Sequence, residues 1–303
     1  MTTIRPCLAQ DCTAMALVCY RASRGGAVAF HRPEEPAAWP PSSEPDRDKP
    51  DKLPDRTGFE VMNEPTSDCD AIWGDAKARW PAQLARLHAA ARQAAPDLPL
   101  VLSGACWGGA QGLVSLDPAT LGDDNVIWSF HSYTPFLFTH QGAEWTEGIV
   151  TTLHHLPYPP NLLDARTAQA LALEAAAWAR TRRIVTEPPA TASNVLTALN
   201  NYRDSSDGHV AEDAALAARW ADAHGIPRHR LLMGEFGAIV SPDDTPKDKA
   251  SRLRFLQAKR MSAQGLGIGW AVWSWSGNFA VSDNTPDRIP DPAVCRALGL
   301  TCN

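Results

Sequence analysis

The chain has 303 residues, of which 44% are hydrophobic and 20% are charged, and its formal net charge is -6. This composition is ordinary for a globular protein, and the length suits one large α/β barrel or two small domains. The net negative charge and the lack of a long basic run argue against nucleic acid and anionic membranes as partners. No apolar run reaches the roughly 18 residues of a membrane span, so none is predicted.

The N-terminal part of the chain predicts little regular structure. Residues 1–20 carry one arginine and no sustained apolar run, and they do not resemble a signal peptide. Residues 26–31 (GAVAFH) form a candidate strand with His31 at its end, and residues 32–56 are dense in proline and acidic residues, which indicates a loop or linker. We therefore expect residues 1–56 to be an irregular segment with at most one or two barrel strands.

Beyond residue 57 the pattern becomes regular, and we expect residues 57–303 to form the main part of a barrel. Apolar strands alternate with helices, which is typical of βαβ units around a parallel sheet. In the first helix, Trp80, Leu84, Leu87 and Ala91 share one apolar face. The fold class predicted is α/β, a (β/α)8 TIM barrel. The predicted strands are residues 58–62, 98–103, 126–130, 230–234 and 267–275, and the helices are residues 73–95, 165–180, 210–224 and 249–263.

Side chains suited to chemistry lie at the ends of four predicted strands. In a (β/α)8 barrel the carboxyl ends of all strands open on one face, so these side chains would share one cleft. A charge at the end of an apolar strand is costly unless the site uses it. A retaining glycosidase needs two carboxyl groups about 5–5.5 Å apart, one to attack the sugar and one to protonate the leaving oxygen. The strand-end residues are Glu64, His131, Tyr133, Glu235, Trp273 and Trp275.

Four stretches in this part of the chain, FEVMNEP, HSYTPFLFTHQGAEW, LLMGEFG and AVWSWSGNF, resemble glycoside hydrolase family 5, the cellulase family. The resemblance covers roughly residues 56–280 and keeps the order of the family's motifs. It implies a retaining glycoside hydrolase that cleaves β-linked glucan, most similar to an endo-β-1,4-glucanase. We predict neither a cofactor nor a metal, and a β-glucan oligosaccharide or polysaccharide as the partner.

The resemblance also implies a role for each residue near the reacting bond. Glu64 resembles the general acid/base, and Glu235 resembles the nucleophile. Asn63 resembles the neighbour that hydrogen-bonds the 2-hydroxyl of the sugar. His131 and Tyr133 resemble the pair in which the histidine contacts the acid/base region and the tyrosine donates to the nucleophile.

Substrate-binding residues follow from the same resemblance. Trp273 resembles the stacking platform under the sugar that is cleaved. Trp275, two residues later and on the same face of the predicted strand, is the alternative candidate for this role. Trp107 is a candidate platform of a neighbouring subsite. His31 is the candidate for the histidine that the family carries at the end of its third strand.

The short N-terminal part keeps alternatives open. Three βα units of about 30 residues would precede the Asn-Glu strand in a full barrel, yet only 62 residues precede Asn63. The barrel is therefore expected to be incomplete at its N-terminal strands. A catalytically impaired carbohydrate-binding pseudoenzyme and a truncated family member are the alternatives to an active enzyme.

Several properties remain undecided by the sequence. The linkage and the sugar backbone are open, as is localisation, since the family is usually secreted or periplasmic. The seven cysteines show no paired CxxC spacing, so no structural zinc site is predicted. Cys295 and Cys302 either close a short loop or remain free thiols.

Overall fold

The computed structural model describes residues 58–65, 76–205, 207–283 and 289–300, together with the backbone of residues 22–23 and 26–27. His31 and residues 32–56 lie outside the described residues, and so do Cys7, Cys12, Cys19, Cys69 and Cys302. The chain divides into two compact units. Unit 1 comprises Met1–His131, Leu216–Gly234 and Leu266–Val272, and unit 2 comprises Ser132–Ala215, Glu235–Gly265 and Trp273–Asn303.

Strands and helices alternate along parts of the described chain, and short 3-10 turns join several of them. None of the described helices is long and apolar enough to cross a membrane. The strands are β1 (Ala22–Ser23), β2 (Gly26–Ala27), β3 (Phe59–Glu60), β4 (Leu100–Ser103), β5 (Val126–His131), β6 (Leu231–Glu235) and β7 (Gly269–Trp270). The helices are α1 (Ala76–Ala94), α2 (Ala110–Leu113), α3 (Phe136–Thr139), α4 (Ala165–Arg182), α5 (Ala192–Asp204), α6 (Glu212–Ala223), α7 (Pro246–Gly265) and α8 (Pro292–Ala297).

A five-stranded sheet, which belongs to unit 1 apart from the last residue of β6, carries the strands in chain order from β3 to β7. Phe59 pairs with Leu100, Leu100 with Val126, and Leu232 with Gly269, each in parallel. Consecutive order without reversal is the winding of a (β/α)8 barrel, whereas a doubly wound sheet reverses its order. The predicted fold class is confirmed, as an incomplete barrel of five parallel strands within the described residues.

The strands are apolar on both faces because parallel sheets are covered on both sides. All four residues of β4 are buried, and so are five of the six residues of β5. Trp128 of β5 makes an edge contact with Trp220 of α6, with ring centroids 5.4 Å apart. The Trp220 Nε1–H donates to Leu116 O at 3.0 Å, so the indole is buried without losing its hydrogen bond.

Helix α1 presents a face that differs from the predicted one by one residue. Trp80 and Leu84 are buried, as predicted, but Leu87 is 37% exposed and His88 is buried in its place. The reason is polar rather than apolar: His88 Nε2 lies 2.6 Å from Asp123 Oδ2. A histidine can be buried when its ring nitrogen has a hydrogen-bond partner, as His88 has in Asp123.

Asp123 joins α1 to the connection that precedes β5. Arg92 of α1 donates to Asp123 Oδ2 at 2.7 Å and to Asn125 O at 2.9 Å. Burial alone would raise the pKa of Asp123, but the hydrogen bonds from Arg92 and His88 outweigh it and lower this pKa to about 2. Because the folded-state pKa is depressed, this contribution to stability is present above the pKa of the unfolded state and is lost as the pH falls towards 2.

Unit 2 contains a pair of helices, α4 and α5, of which only α4 was predicted. Asp164 caps α4, since its Oδ1 accepts the Thr167 N–H at 2.8 Å, and Thr191 caps α5 in the same way. The buried face of α5 carries Val195, Leu199 and Tyr202, at helical spacing. We assigned no helix to these residues from the sequence, although the apolar spacing and the threonine cap were both visible.

The ends of the sheet differ from the sequence prediction. Strand β2 pairs antiparallel with β1 in a separate two-stranded sheet, so residues 26–27 do not extend the parallel sheet. The last strand was predicted to run over residues 267–275, yet β7 is only Gly269–Trp270. Pairing continues beyond it as single hydrogen bonds, such as Ala271 N–H to Met233 O, without a regular ladder.

Candidate active site

The first candidate pair lies in unit 1, where Glu64 contacts His131. Glu64 Oε1 and His131 Nδ1 are 2.9 Å apart, and the two side chains are 26% and 3% exposed respectively. His131 is the last residue of β5, and its backbone N–H donates to Gly108 O at 2.9 Å. The imidazole is therefore fixed by the strand, and it orients a carboxyl group that remains accessible.

The backbone at Glu64 is in the left-handed region, with φ of 43°. A residue other than glycine in this region is strained, and such strain is concentrated at functional sites. The residues on either side, Asn63 and Pro65, are partly buried and buried respectively. The turn after β3 therefore holds the Glu64 side chain in a conformation that a relaxed chain would rarely adopt.

His131 also depends on a glycine at the neighbouring strand. A Cβ atom built at Gly234 of β6 would lie 2.4 Å from Ser129 Oγ and 3.5 Å from His131 Cδ2. Counted as whole residues, Ser129 and His131 are 1% and 5% exposed. Neither side chain has open space beside it, so the absence of a side chain at Gly234 allows both to stay in place.

We expect Gly234→Ala to destabilise the protein by about 1–3 kcal/mol, because the added methyl group overpacks a filled core. The matched control is Gly265→Ala, since a Cβ at Gly265 has no atom within 4 Å. Urea unfolding of both variants measures the difference. Equal urea midpoints of unfolding for Gly234→Ala and Gly265→Ala would contradict the inference that a methyl group at Gly234 clashes with Ser129.

The second candidate pair lies in unit 2, where Tyr133 contacts Glu235. The Tyr133 hydroxyl donates to Glu235 Oε2 at 2.8 Å. Glu235 is the last residue of β6, and its carbonyl oxygen accepts the Ser132 N–H at 2.9 Å. The Tyr133 ring makes edge contacts with His140 and Phe279, with centroids 4.9 and 5.9 Å away. Packing thus holds the phenol in the position from which it donates to the carboxylate.

The predicted tryptophans differ in exposure. Trp107 is 55% exposed and has a left-handed φ of 55° in the turn after β4. Trp273 and Trp275, which follow β7, are both partly buried, so exposure does not separate the platform from its rival. The residue before Trp107, Cys106, is in a disulfide, and so is Cys295.

The family model for Cellulase (glycosyl hydrolase family 5) matches residues 52–279, which is most of the chain. This chain belongs to glycosyl hydrolase family 5. The match includes both candidate pairs and the tryptophans that follow β7. The two contacts predicted by the resemblance, histidine to Glu64 and tyrosine to Glu235, are present in the structure.

Two endoglucanases are similar over much of this chain. Endoglucanase 3 of Fibrobacter succinogenes is 29% identical over 227 residues, which is 75% of this chain and 30% of that protein. Endoglucanase C of Acetivibrio thermocellus is 28% identical over 217 residues, which is 72% of this chain and 53% of that protein. The chain therefore spans about a third to half of the length of these two relatives.

Solved structures show the same fold. An endoglucanase of Thermotoga maritima superposes with a TM-score of 0.54 at 21% identity, covering 82% of this chain and 60% of that one. At this identity the likeness concerns the fold. It supports the barrel fold for the part of the chain that superposes.

One aromatic residue of this family 5 chain was not singled out from the sequence. Trp145, in the loop after α3, is 56% exposed, and its ring centroid lies 6.3 Å from that of Phe279. Phe279 also contacts Tyr133. An exposed tryptophan supported by an aromatic neighbour of Tyr133 is a candidate sugar platform. The quoted motif ending in GAEW contained the signal, but its last residue was not considered.

A cavity of about 590 Å³ in unit 2 has none of the predicted site residues in its wall. Three of its polar residues already have structural contacts. The Arg182 guanidinium lies 4.0 Å from the Trp178 ring centroid, and Asp248 Oδ2 accepts the Thr245 N–H at 2.7 Å near the start of α7. His155 Nδ1 also lies 2.9 Å from Asp248 Oδ2. These contacts are explained by helix capping and packing, so the catalytic prediction stays with the two candidate pairs.

Proposed function

We propose that this family 5 chain hydrolyses β-linked glucan with retention of configuration, as an endo-β-1,4-glucanase. Family membership supports the reaction class, and the two curated relatives described above are both named endoglucanases. The observation that carries the assignment is that both glutamates, Glu64 in the turn after β3 and Glu235 at the end of β6, have a specific hydrogen-bond partner. Glu64 has His131, and Glu235 has the Tyr133 hydroxyl.

In the proposed first step, Glu235 acts as the nucleophile. Its carboxylate oxygen attacks the anomeric carbon, the glycosidic carbon–oxygen bond breaks, and the proton of Glu64 passes to the leaving oxygen. The Tyr133 hydroxyl donates to Glu235 and so holds the attacking carboxylate in one orientation. His131 likewise holds the Glu64 carboxyl group in one orientation.

In the second step, Glu64 acts as the base. Having lost its proton, it removes one from a water molecule, the water oxygen attacks the anomeric carbon, and the bond from that carbon to Glu235 breaks. Two inversions give net retention. The proposal requires the two carboxyl groups to lie about 5–5.5 Å apart when substrate is bound, since a retaining mechanism leaves no room for water during the first step.

The remaining site residues are proposed to bind the sugar. Asn63, next to Glu64, would hydrogen-bond the 2-hydroxyl group, and Trp273 would stack under the sugar that is cleaved, with Trp275 as the rival. Trp107 and Trp145 expose enough ring surface to serve neighbouring subsites. His31, the predicted support of the nucleophile side, stays a prediction.

Tyr133→Phe is expected to lower kcat by about 10–100-fold, because it removes a hydrogen bond to a charged group that takes part in both steps. The matched control is Tyr202→Phe, which removes the bond of 2.6 Å from the Tyr202 hydroxyl to Pro157 O. That change should cost about 1 kcal/mol of stability and leave kcat unchanged. Equal kcat values for the two variants would contradict the role of Tyr133.

A substrate panel tests the proposed function. The purified chain is incubated with carboxymethyl-cellulose, barley β-glucan, laminarin and mannan, and both viscosity and reducing ends are followed. An endo-acting enzyme lowers the viscosity of carboxymethyl-cellulose before many reducing ends appear. Binding of cello-oligosaccharides without turnover of any substrate would favour the carbohydrate-binding pseudoenzyme, and neither binding nor turnover would reject both readings.

A further inference from the structure

The side chain of a lysine is buried in unit 2. Lys259, in the middle of α7, has 0% exposure. Its Nζ donates to Ser132 Oγ and to Val210 O, the latter at 2.9 Å, and it lies 3.8 Å from Asp213 Oδ2. A buried lysine is uncommon, and its retention requires partners that satisfy the ammonium group.

Burial of this amine is unfavourable for folding. Burial lowers the pKa of Lys259 from 10.5 to about 8, although the nearby charges of Asp213 and Glu212 act in the opposite direction. Between pH 8 and 10.5 the unfolded chain keeps a proton that the folded protein has lost, so stability rises with pH in that window. Below pH 8 the folded protein keeps Lys259 protonated, so it carries a buried charge that an apolar side chain would not have. Glu212 is itself paired with His209, 2.7 Å away.

The partner that Lys259 contacts explains why the charge is kept. Ser132 is 1% exposed, and its Oγ donates to Asp213 Oδ2 at 2.6 Å while it accepts from Lys259. Its N–H donates to Glu235 O. Ser132 also stands in the chain directly between His131 and Tyr133, the two residues that hold the candidate glutamates.

We propose that Lys259 and Asp213 are positioning residues for the hydrolytic site, because they fix Ser132 and, through it, the Tyr133 phenol that donates to Glu235. The inference rests on the proposed function and extends it to residues that do not touch substrate. Three elements meet at this one serine: α7 through Lys259, the start of α6 through Asp213, and the end of β6 through Glu235. Hydrogen bonds at both the amide and the hydroxyl restrict the backbone and side-chain torsions of Ser132. The backbone of the next residue, Tyr133, is therefore held in place as well.

The test compares Lys259→Met with Lys249→Met, which removes an exposed lysine from the same helix. Methionine fills the volume without a charge, but it removes the ammonium group from Asp213 and from the Val210 carbonyl oxygen, and removal of one partner of a buried pair is destabilising. We expect Lys259→Met to lower the midpoint of thermal unfolding, and to lower kcat of the folded enzyme on carboxymethyl-cellulose by about 10–100-fold, because small displacements of catalytic groups slow the reaction strongly. KM should change little, since Lys259 contacts no substrate.

A pH profile separates positioning from a purely structural role. The acidic limb of kcat/KM reports ionisation of essential groups in the free enzyme, and a Tyr133 that no longer holds Glu235 should move that limb to higher pH. Lys249→Met should keep the wild-type profile. A Lys259→Met enzyme with the kcat and the pH profile of Lys249→Met overturns the inference.

A second variant keeps the test decisive if Lys259→Met fails to fold. Ser132→Ala removes only one oxygen and leaves Lys259 and Asp213 free to pair directly. It should lower kcat and move the acidic limb in the same direction, and in the double variant with Lys259→Met the two losses should overlap rather than multiply. Normal kcat in Ser132→Ala overturns the inference. An inactive wild type that shows no turnover on any glucan rejects the proposed function instead, so the two failures are distinguishable.

Discussion

Glu235→Gln is expected to lower kcat by about four orders of magnitude or more on every substrate, which is the scale of loss when a catalytic nucleophile is removed. Glutamine keeps the shape and accepts the Tyr133 hydrogen bond, but its neutral oxygen does not attack the anomeric carbon. Because no other step replaces this attack, an activated aryl cellobioside should not rescue the reaction. Turnover is measured by release of the aryl alcohol and of reducing ends.

The control for this change is Glu187→Gln, which alters an exposed glutamate in the loop between α4 and α5. It should keep wild-type kcat and stability. Retention of more than about a hundredth of wild-type kcat in Glu235→Gln would be a loss too small for a missing nucleophile. The nucleophile would then be another carboxylate.

Glu64→Ala is expected to give a different result for different leaving groups. A sugar leaves poorly without a proton, so hydrolysis of carboxymethyl-cellulose should fall by about 10²–10⁴-fold, the range for loss of general acid catalysis. Dinitrophenolate leaves without a proton, so the first step should survive on a dinitrophenyl cellobioside. The second step lacks its base, so a burst of dinitrophenolate should be followed by slow turnover as the covalent intermediate accumulates.

Azide provides the control for Glu64→Ala. It is a small anion that attacks without a general base, so it should restore turnover of the activated substrate and yield a β-glycosyl azide. Azide should restore nothing in Glu235→Gln. If Glu64→Ala is as inactive as Glu235→Gln on the activated substrate and azide has no effect, the roles assigned to the two glutamates are wrong.

Local patterns in the sequence located β4, β5 and β6 to within two residues, whereas the predicted last strand was too long. Strand β6 was predicted because LLMG is a short apolar run that stops at Glu235, and it is a five-residue strand with that glutamate last. The family resemblance then supplied contacts that no local pattern contains, such as His131 to Glu64 across 67 positions of the chain. The roles of these residues remain proposals.

Sequence patterns were less informative wherever a polar partner decides burial. Leu87 was expected inside, yet it is exposed, and His88 is buried because Asp123 lies next to it. Lys259 was part of a predicted helix, but its burial depends on Ser132, which lies 127 positions away. A lysine in a helix is ordinarily exposed, so only the folded chain reveals the contact.

The central claim is that Glu235 becomes covalently bonded to the sugar. The most direct measurement incubates the protein with 2,4-dinitrophenyl 2-deoxy-2-fluoro-β-cellobioside, followed by mass spectrometry of the intact chain and of its peptides. The fluorine slows the oxocarbenium-like steps, and the good leaving group still allows the first of them, so the intermediate should accumulate. We expect one fluorocellobiosyl group per chain, attached at Glu235, in wild type and not in Glu235→Gln. A label on Glu64 or on another residue, or turnover of cellulose with no labelling at all, would contradict this account.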